Sequence, residues 1–402
     1  MESGNKPLVT IVGRPNVGKS TLFNRLIGAP KAIVSEISGT TRDRVITETT
    51  WGKHTFILVD TGGLEEFSDT ELWPEVRTQI HIAIRESDIV ILLVDANDGL
   101  TPGDMDISNT LRLLNKPSVL AVNKADNNQR ELSAVDFYNL GLSEPLPISA
   151  YHNRGIDELM SRVITKFPTD QTIETQDADF KLAVVGRPNV GKSMLLNTIT
   201  EQNRAIVSEI PGTTRDTVDT LIKYHDQTIL FIDTAGLRRR GKIEQGIEKY
   251  STLRSVKAID RAQVVILLMD ATELATSQDT HISNYILEAH KGIVLAINKW
   301  DLANQINLKK HEAIRKVQEQ FNFASHAPIC FVSALRKSGT ENLVNEARAV
   351  HQQWNMEIPR YDLRRTVLNS VSANPPASTG RHALKLYGVT QNQSGPPSFT
   401  FY

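Results

Sequence analysis

An eight-residue segment written twice constrains this chain more than any other feature. Gly13-Arg14-Pro15-Asn16-Val17-Gly18-Lys19-Ser20 fits G-x-x-x-x-G-K-[ST], and the same eight residues return 173 positions later at Gly186-Arg187-Pro188-Asn189-Val190-Gly191-Lys192-Ser193. The likeness runs on to Asp43 and Asp216, with 21 of 31 positions identical, so the chain is expected to hold two copies of one unit. Each segment follows a short apolar run (Leu8 to Val12; Leu182 to Val185) and opens an amphipathic stretch (Leu22, Phe23, Leu26; Leu195, Leu196, Ile199). That is the strand, loop and helix context a phosphate-cradling loop requires. A chance glycine-rich turn could imitate one such motif, and the duplication removes that reading.

The chemistry of the first copy follows in chain order. Backbone N–H groups from Gly13 to Ser20 converge with the positive end of the next helix, and Lys19 reaches the β- and γ-phosphates. Ser20 offers a hydroxyl to Mg²⁺, and Thr21 follows it into the helix. In Ser38-Gly39-Thr40-Thr41-Arg42-Asp43 a threonine, Thr41 in preference to Thr40, is placed to complete the Mg²⁺ shell; a bland turn is the alternative reading of that segment alone. The apolar run Thr55 to Val59 ends in Asp60-Thr61-Gly62-Gly63, which sets the Asp60 carboxylate at a strand edge on the metal side and lets backbone at Gly63 approach the γ-phosphate. Leu64 comes next, and a leucine cannot orient a water by hydrogen bonding. Further apolar runs at Ile89 to Val94 and Ser118 to Val122 lead to Asn123-Lys124-Ala125-Asp126. The Asp126 carboxylate can accept from the N1–H and N2–H₂ of guanine, whereas adenine would leave it unpaired. Ser149 and Ala150 form a turn whose Ala150 N–H could meet the guanine O6.

The second copy is complete: Gly186, Asn189, Val190, Gly191, Lys192, Ser193 and Met194, then Thr213 and Thr214, Asp233-Thr234-Ala235-Gly236, Asn298-Lys299-Trp300-Asp301, and Ser333-Ala334. The copies diverge after the D-x-x-G element, where Leu237-Arg238-Arg239-Arg240-Gly241-Lys242 stands against Leu64-Glu65-Glu66-Phe67-Ser68-Asp69. Two solvated loops explain that contrast, as does a basic segment that changes partner with nucleotide state. Strands alternating with amphipathic stretches predict α/β domains over 1–168 and 180–353, joined by a polar, acidic linker over 169–179. Residues 354–402 read as a helix (Tyr361 to Val371), a Pro/Ser/Gly loop (Asn374 to Gly380) and two alternating stretches (Ala383 to Gln391; Ser398 to Tyr402). This tail has five Lys/Arg against two acids, which suits a solvated face or RNA equally.

Composition narrows the rest. Net charge is −1, so no global basic field draws the chain to nucleic acid, and DNA is not an expected partner. No apolar run approaches a membrane span and no targeting segment opens the chain, so a cytoplasmic protein acting as a monomer is the expectation. The single cysteine, Cys330, falls in the apolar run Pro328 to Val332 and reads as core.

With two intact motif sets, an acidic linker and Arg204-Ala-Ile-Val-Ser-Glu-Ile-Pro-Gly-Thr-Thr-Arg-Asp216 in view, the chain resembles the Der family of tandem-domain bacterial GTPases, over essentially its whole length. The resemblance implies two P-loop, Ras-like GTPase domains that hydrolyse GTP to GDP and phosphate with Mg²⁺, coupled to assembly of the large (50S) ribosomal subunit and contact with its rRNA. An alternative is a nucleotide-gated ribosome-binding scaffold in which hydrolysis only resets the state. The resemblance also implies that residues 354–402 are part of a KH-like α+β domain, expected here to be truncated. Relatives with asparagine where Asn16 and Asn189 stand, and an apolar residue after D-x-x-G, are similar in using K⁺ beside the phosphates. Asn16 and Asn189 would be its side-chain ligands. One departure is Ser38 where the second copy has Pro211.

Overall fold

Runs of residues buried on both sides cannot alternate polar and apolar as a one-faced strand does, and they belong in a parallel sheet covered by helices on both faces. The computed structural model has that arrangement twice and describes residues 6–28, 32–34, 46–62, 73–168, 178–202, 208–211, 218–225, 227–234, 251–373 and 386–402. The chain divides into two compact units, Met1–Glu174 with Ile243–Lys257, and Thr175–Lys242 with Ala258–Tyr402.

The first sheet is built from β1 (Leu8–Val12), β2 (Ala32–Val34), β3 (Ile46–Trp51), β4 (His54–Asp60), β5 (Ile89–Asp95), β6 (Ser118–Asn123) and β7 (Leu146–Pro147). Its spatial order is β2-β3-β4-β1-β5-β6-β7, with β3 antiparallel to both its neighbours and the remaining pairs parallel. The accompanying helices are α1 (Lys19–Ile27), α2 (Trp73–Glu86), α3 (Pro102–Leu113), a short α4 (Asn128–Leu132) and α5 (Ile156–Ile164). Period-two burial sorts β5 between two cores. Ile89, Ile91 and Leu93 pack with Phe23 and Leu159 on one face, and Val90, Leu92 and Val94 pack with Ile84 and Phe137 on the other.

The second sheet repeats this with β8 (Phe180–Val185), β9 (Ser208–Pro211), β10 (Val218–Tyr224), β11 (Gln227–Phe231), β12 (Val264–Asp270), β13 (Gly292–Asn298) and β14 (Ile329–Phe331), in the order β9-β10-β11-β8-β12-β13-β14. Its helices are α6 (Lys192–Gln202), the part of α7 (Ser251–Arg261) from Ala258 on, α8 (Ser277–Glu288), α9 (Lys310–Gln320) and α10 (Thr340–Trp354). Cys330 lies in one of its cores, where burial pushes the thiol up to about 12, in keeping with an unreactive side chain. In both sheets the first strand lies between two parallel neighbours, β1 between β4 and β5 and β8 between β11 and β12. Connections therefore leave it in opposite directions, which opens a crevice at the carboxyl ends of the strands.

The tail holds α11 (Arg360–Ala373) and a hairpin of β15 (Val389–Gln393) with β16 (Ser398–Phe401). The helix reaches one residue earlier and two later than the sequence pattern. Among the described residues the first strand spans Val389–Gln393, two residues past the expected end, and the backbone of Tyr387 and Gly388 continues its hydrogen bonding to Tyr402. Residues 374–385, including the expected loop, lie outside the described residues. Most of the expected linker does too, although its last residue, Asp179, is tied to β11 through Thr228. Among the described residues no helix is long and apolar enough to cross a membrane.

Candidate functional site

The phosphate loops lie at the carboxyl ends of β1 and β8 and run straight into α1 and α6. Two glycines per loop are needed for close approach. A Cβ on Gly13 would stand 2.3 Å from the Leu93 carbonyl oxygen, and one on Gly186 the same distance from that of Leu268. Gly18 and Gly191 have φ of 95° and 99°, and a Cβ on either would stand 2.4 Å from an asparagine amide nitrogen, Asn123 or Asn298 respectively. Lys19 and Lys192 are buried, and each ammonium donates to two carbonyls of its own loop, Gly13 and Arg14 or Gly186 and Arg187. That holds one cation inside the curve of each loop. Pro15, Asn16 and Asn189 are more open, and both asparagines are left-handed, with φ of 65° and 63°. Asparagine tolerates that conformation better than most residues, so its presence has a backbone explanation as well as a ligand explanation. Thr21 and Met194 lie exposed near the starts of α1 and α6.

One side chain per copy joins the G-x-x-x-x-G-K-S loop to the Ser-Ala turn expected to meet the base. Asn123 donates its Nδ2 to the Val17 carbonyl at 2.9 Å and accepts from the Ala150 N–H at 3.0 Å; Asn298 does the same with Val190 and Ala334, at 2.8 and 3.0 Å. A guanine O6 approaching the Ala150 or Ala334 N–H would share that donor. Lys124 and Lys299 are left-handed, at φ of 63° and 58°, and pair with Asp95 and Asp270 at the ends of β5 and β12. Burial pushes the Asp270 carboxyl up, but hydrogen bonds from Lys299 and Thr272 and the Lys299 charge outweigh it, so the group ends below its ordinary value. The two acids expected to read guanine differ in their partners. Asp126 accepts from Ser149 Oγ at 2.7 Å and from Arg130 at 3.0 Å, while Asp301 accepts from Ser333 Oγ and has Gln305 where the first copy has Arg130.

The residues expected on the metal side are described most fully in the first copy. Asp60 is buried, stands in register with Ile11, and accepts from the Gly62 N–H at 2.8 Å. A carbon added to Gly62 would lie 3.1 Å from Asp60 Oδ1, 3.2 Å from Ser20 Oγ and 3.2 Å from Lys19 Cε. A carboxylate and a hydroxyl, both hard oxygen donors, therefore face one small space beside the phosphate lysine, and this donor set fits Mg²⁺. In the second copy β11 ends at Phe231, and Asp233 turns left-handed, with φ of 53°. Its N–H is held by Asp219, which pairs with Arg261, a buried ionic contact for which the first copy has Ile46 in place of the acid. Thr40, Thr41, Gly63, Thr213, Thr214, Ala235 and Gly236 lie outside the described residues, as do 64–72 and 237–250.

Sequence reasoning missed a brace on each phosphate loop. The Arg14 side chain turns away from the loop to Asp104 at 3.0 Å and Asp98 at 3.2 Å, and Arg187 turns to Asp279 and Glu273 at 3.2 and 2.9 Å. Burial works against both guanidinium charges, but their carboxylate partners outweigh it and hold them above the ordinary arginine value. Asp104 and Asp279 are fully buried and also close capping boxes with Thr101 and Thr276 at the starts of α3 and α8. Removing the arginine leaves the fully buried aspartate without its ion-pair partner, which for a buried pair costs about 3–5 kcal/mol. Thr-x-x-Asp ahead of an apolar run signals the two caps, though not the arginine that reaches them. A further support differs in chemistry between the copies: Arg25 donates to the Ala150 and Tyr151 carbonyls, and Thr198 donates to that of Ala334.

A family model described as "50S ribosome-binding GTPase" matches residues 8–124 and 181–299. The GTPase Der of Chloroflexus aggregans is 46% identical, covering 99% of this chain and 90% of its own. That of Herpetosiphon aurantiacus is 44% identical over 99% and 89%, and that of Thermomicrobium roseum 46% identical over 98% and 88%. Two matched GTPase domains on two sheets of the same order, within a likeness that spans nearly the whole chain, make this chain a member of the Der family of GTPases.

Proposed function

We propose that each site binds Mg·GTP, that water attacks the γ-phosphate in line, and that the change of state is coupled to assembly of the large ribosomal subunit. The observation that carries the nucleotide reading is the asparagine strut, Asn123 or Asn298, which ties the phosphate loop to the base-reading turn in both copies. Lys19 and Lys192 hold the phosphates, Asp126 and Asp301 read guanine, and Ser20 and Ser193 with Thr41 and Thr214 face the metal. Asp60 and Asp233 hold the metal's outer side, and backbone at Gly63 and Gly236 approaches the γ-phosphate. Bound Mg²⁺ and K⁺ spread the negative charge that develops on the phosphate oxygens. No side chain named here acts as a general base, so acceleration comes from positioning and is slow in isolation.

Asn16 and Asn189 are the proposed K⁺ ligands, and two substitutions separate that role from backbone shape. Asn189→Gly keeps the left-handed turn and removes the carboxamide, whereas Asn189→Ala disturbs both. With Lys19→Ala silencing the first site, GTP turnover is expected to be faster in K⁺ than in Na⁺ at equal ionic strength. Both Asn189 variants are expected to abolish that difference. A K⁺ response retained in Asn189→Gly would assign the residue to the turn.

Support for the ribosomal role comes from the description of the matching family model and from the length of the likeness to Der relatives. We read residues 354–402 as KH-like on the resemblance, with α11 and the β15–β16 hairpin as the portion described. Sedimentation of the full chain with large-subunit precursors, in a GTP analogue and in GDP, tests the coupling. Binding in the analogue alone is expected, and equal binding in both states would remove it. If Lys19→Ala with Lys192→Ala binds as well as the parent without turning over, the protein is a scaffold and hydrolysis only resets it.

A further inference from the structure

A cavity of about 670 Å³ opens beside the base end of the second site, bounded by Trp300, Leu308, Lys309, Lys310, His311 and Arg336, with Asp301 in the shared wall. That volume falls in the range of about 300–1,000 Å³ typical of small-ligand sites. We propose that it is a docking site for single-stranded RNA, taking a base against Trp300 and Leu308 and backbone phosphates on Lys309, Lys310 and Arg336. The choice of RNA over other polyanions rests on the ribosomal reading above; the chemistry of the cavity does not.

Three observations point to this ligand. Among the described residues Lys309, Lys310 and Arg336 form no ion pair, although arginines elsewhere in the unit are matched to acids, as Arg187 is to Glu273 and Arg261 to Asp219. The nearby acids are already engaged: Asp301 accepts from Ser333, and Glu312 accepts from the Lys309 N–H and lies near His311. Unmatched cations around a concave, partly aromatic surface suit phosphate and base together. Secondly, Trp300 is fixed: its ring meets Phe331 edge-on with centroids 4.4 Å apart, its backbone N–H donates to the Val332 carbonyl, and Lys310 lies 4.9 Å over the Phe331 ring. A preorganised aromatic loses little entropy on stacking. Thirdly, the first copy lacks the set. Ala125 stands for Trp300 and His152 for Arg336, and Asn127-Asn128-Gln129 follows its guanine-reading acid without a lysine pair. Because the two copies share their nucleotide motifs, cations confined to one of them are not needed for holding nucleotide. The site also shares a joint with guanine recognition, since Ser333 Oγ donates to Asp301 and accepts the Arg336 N–H at 3.1 Å.

The test titrates the full chain, loaded with a GTP analogue, into a labelled single-stranded RNA oligonucleotide of mixed sequence. Lys309→Glu with Lys310→Glu is expected to weaken binding about tenfold or more and to flatten the salt dependence by about 1.4 in log-log slope, while guanine-nucleotide affinity is unchanged. Lys316→Glu, on the same helix outside the cavity, is expected to change little, and RNA-induced quenching of tryptophan emission is expected to vanish in Trp300→Phe. Unchanged RNA affinity in the double variant, or an equal loss in Lys316→Glu, overturns the site. So does a free mononucleotide binding as tightly as the oligonucleotide, or a double variant that loses a ribosomal protein and no RNA. Precursor binding that needs GTP but ignores the double variant removes this site and leaves the proposed function standing; a parent chain that fails to bind precursors while still binding the oligonucleotide at these lysines does the reverse.

Discussion

Gly191→Ala is expected to remove nucleotide binding at the second site and leave the first intact. A methyl group there meets Asn298 Nδ2 at 2.4 Å on a backbone with φ of 99°. The left-handed conformation costs an L-residue about 1–2 kcal/mol. Displacing Asn298 also strands the buried Val190 carbonyl, at about 1–3 kcal/mol. Together these predict a loss of about 10²–10³-fold or more in affinity. Calorimetric titration of GDP, with Gly18→Ala as the mirror-image variant, measures it. Each variant should lose one of the two binding events, and a variant that keeps both would show that the strut does not shape the site.

Asp301→Asn is expected to exchange guanine for xanthine. The carboxylate offers acceptors to two guanine donors, and charge-assisted hydrogen bonds contribute about 1.5–3 kcal/mol each. GTP affinity at the second site should fall about 10²–10⁴-fold, and xanthosine triphosphate, with a carbonyl where guanine has an amino group, should bind better than GTP. The equivalent change at Asp126 should cost less, because Arg130 already occupies one of its oxygens at 3.0 Å. Competition binding with both nucleotides on the two variants checks the exchange and the asymmetry, and unaltered GTP affinity in Asp301→Asn would assign guanine reading elsewhere.

Most of the fold could be read from the chain because its central strands are buried on both faces. Ile89 to Val94 is continuously apolar and lies in the middle of the first sheet, and the duplicated motifs fixed the order of elements around it. Contacts between distant positions were not legible. Nothing local says that Arg14 will turn to Asp104, 90 residues on, or that Asp219, paired with Arg261 42 residues on, will accept the Asp233 N–H. Equally, the pattern N-K-x-D does not reveal that Arg130 leans on one of the two acids. Motifs state which groups a ligand needs, and tertiary partners decide how free those groups are.

The asparagine strut has a consequence for the life of the protein. Asn123 reaches back 106 residues to Val17 and forward 27 to Ala150, so nothing resembling the guanine site exists until nearly a whole domain has left the ribosome and closed. Loop closure over such separations is slow and late in folding. A nucleotide that binds only the closed form acts as a folding ligand, stabilising each domain by RT ln(1 + [L]/Kd). Proteolytic resistance of each domain is therefore expected to rise with the concentration of the guanine nucleotide it binds.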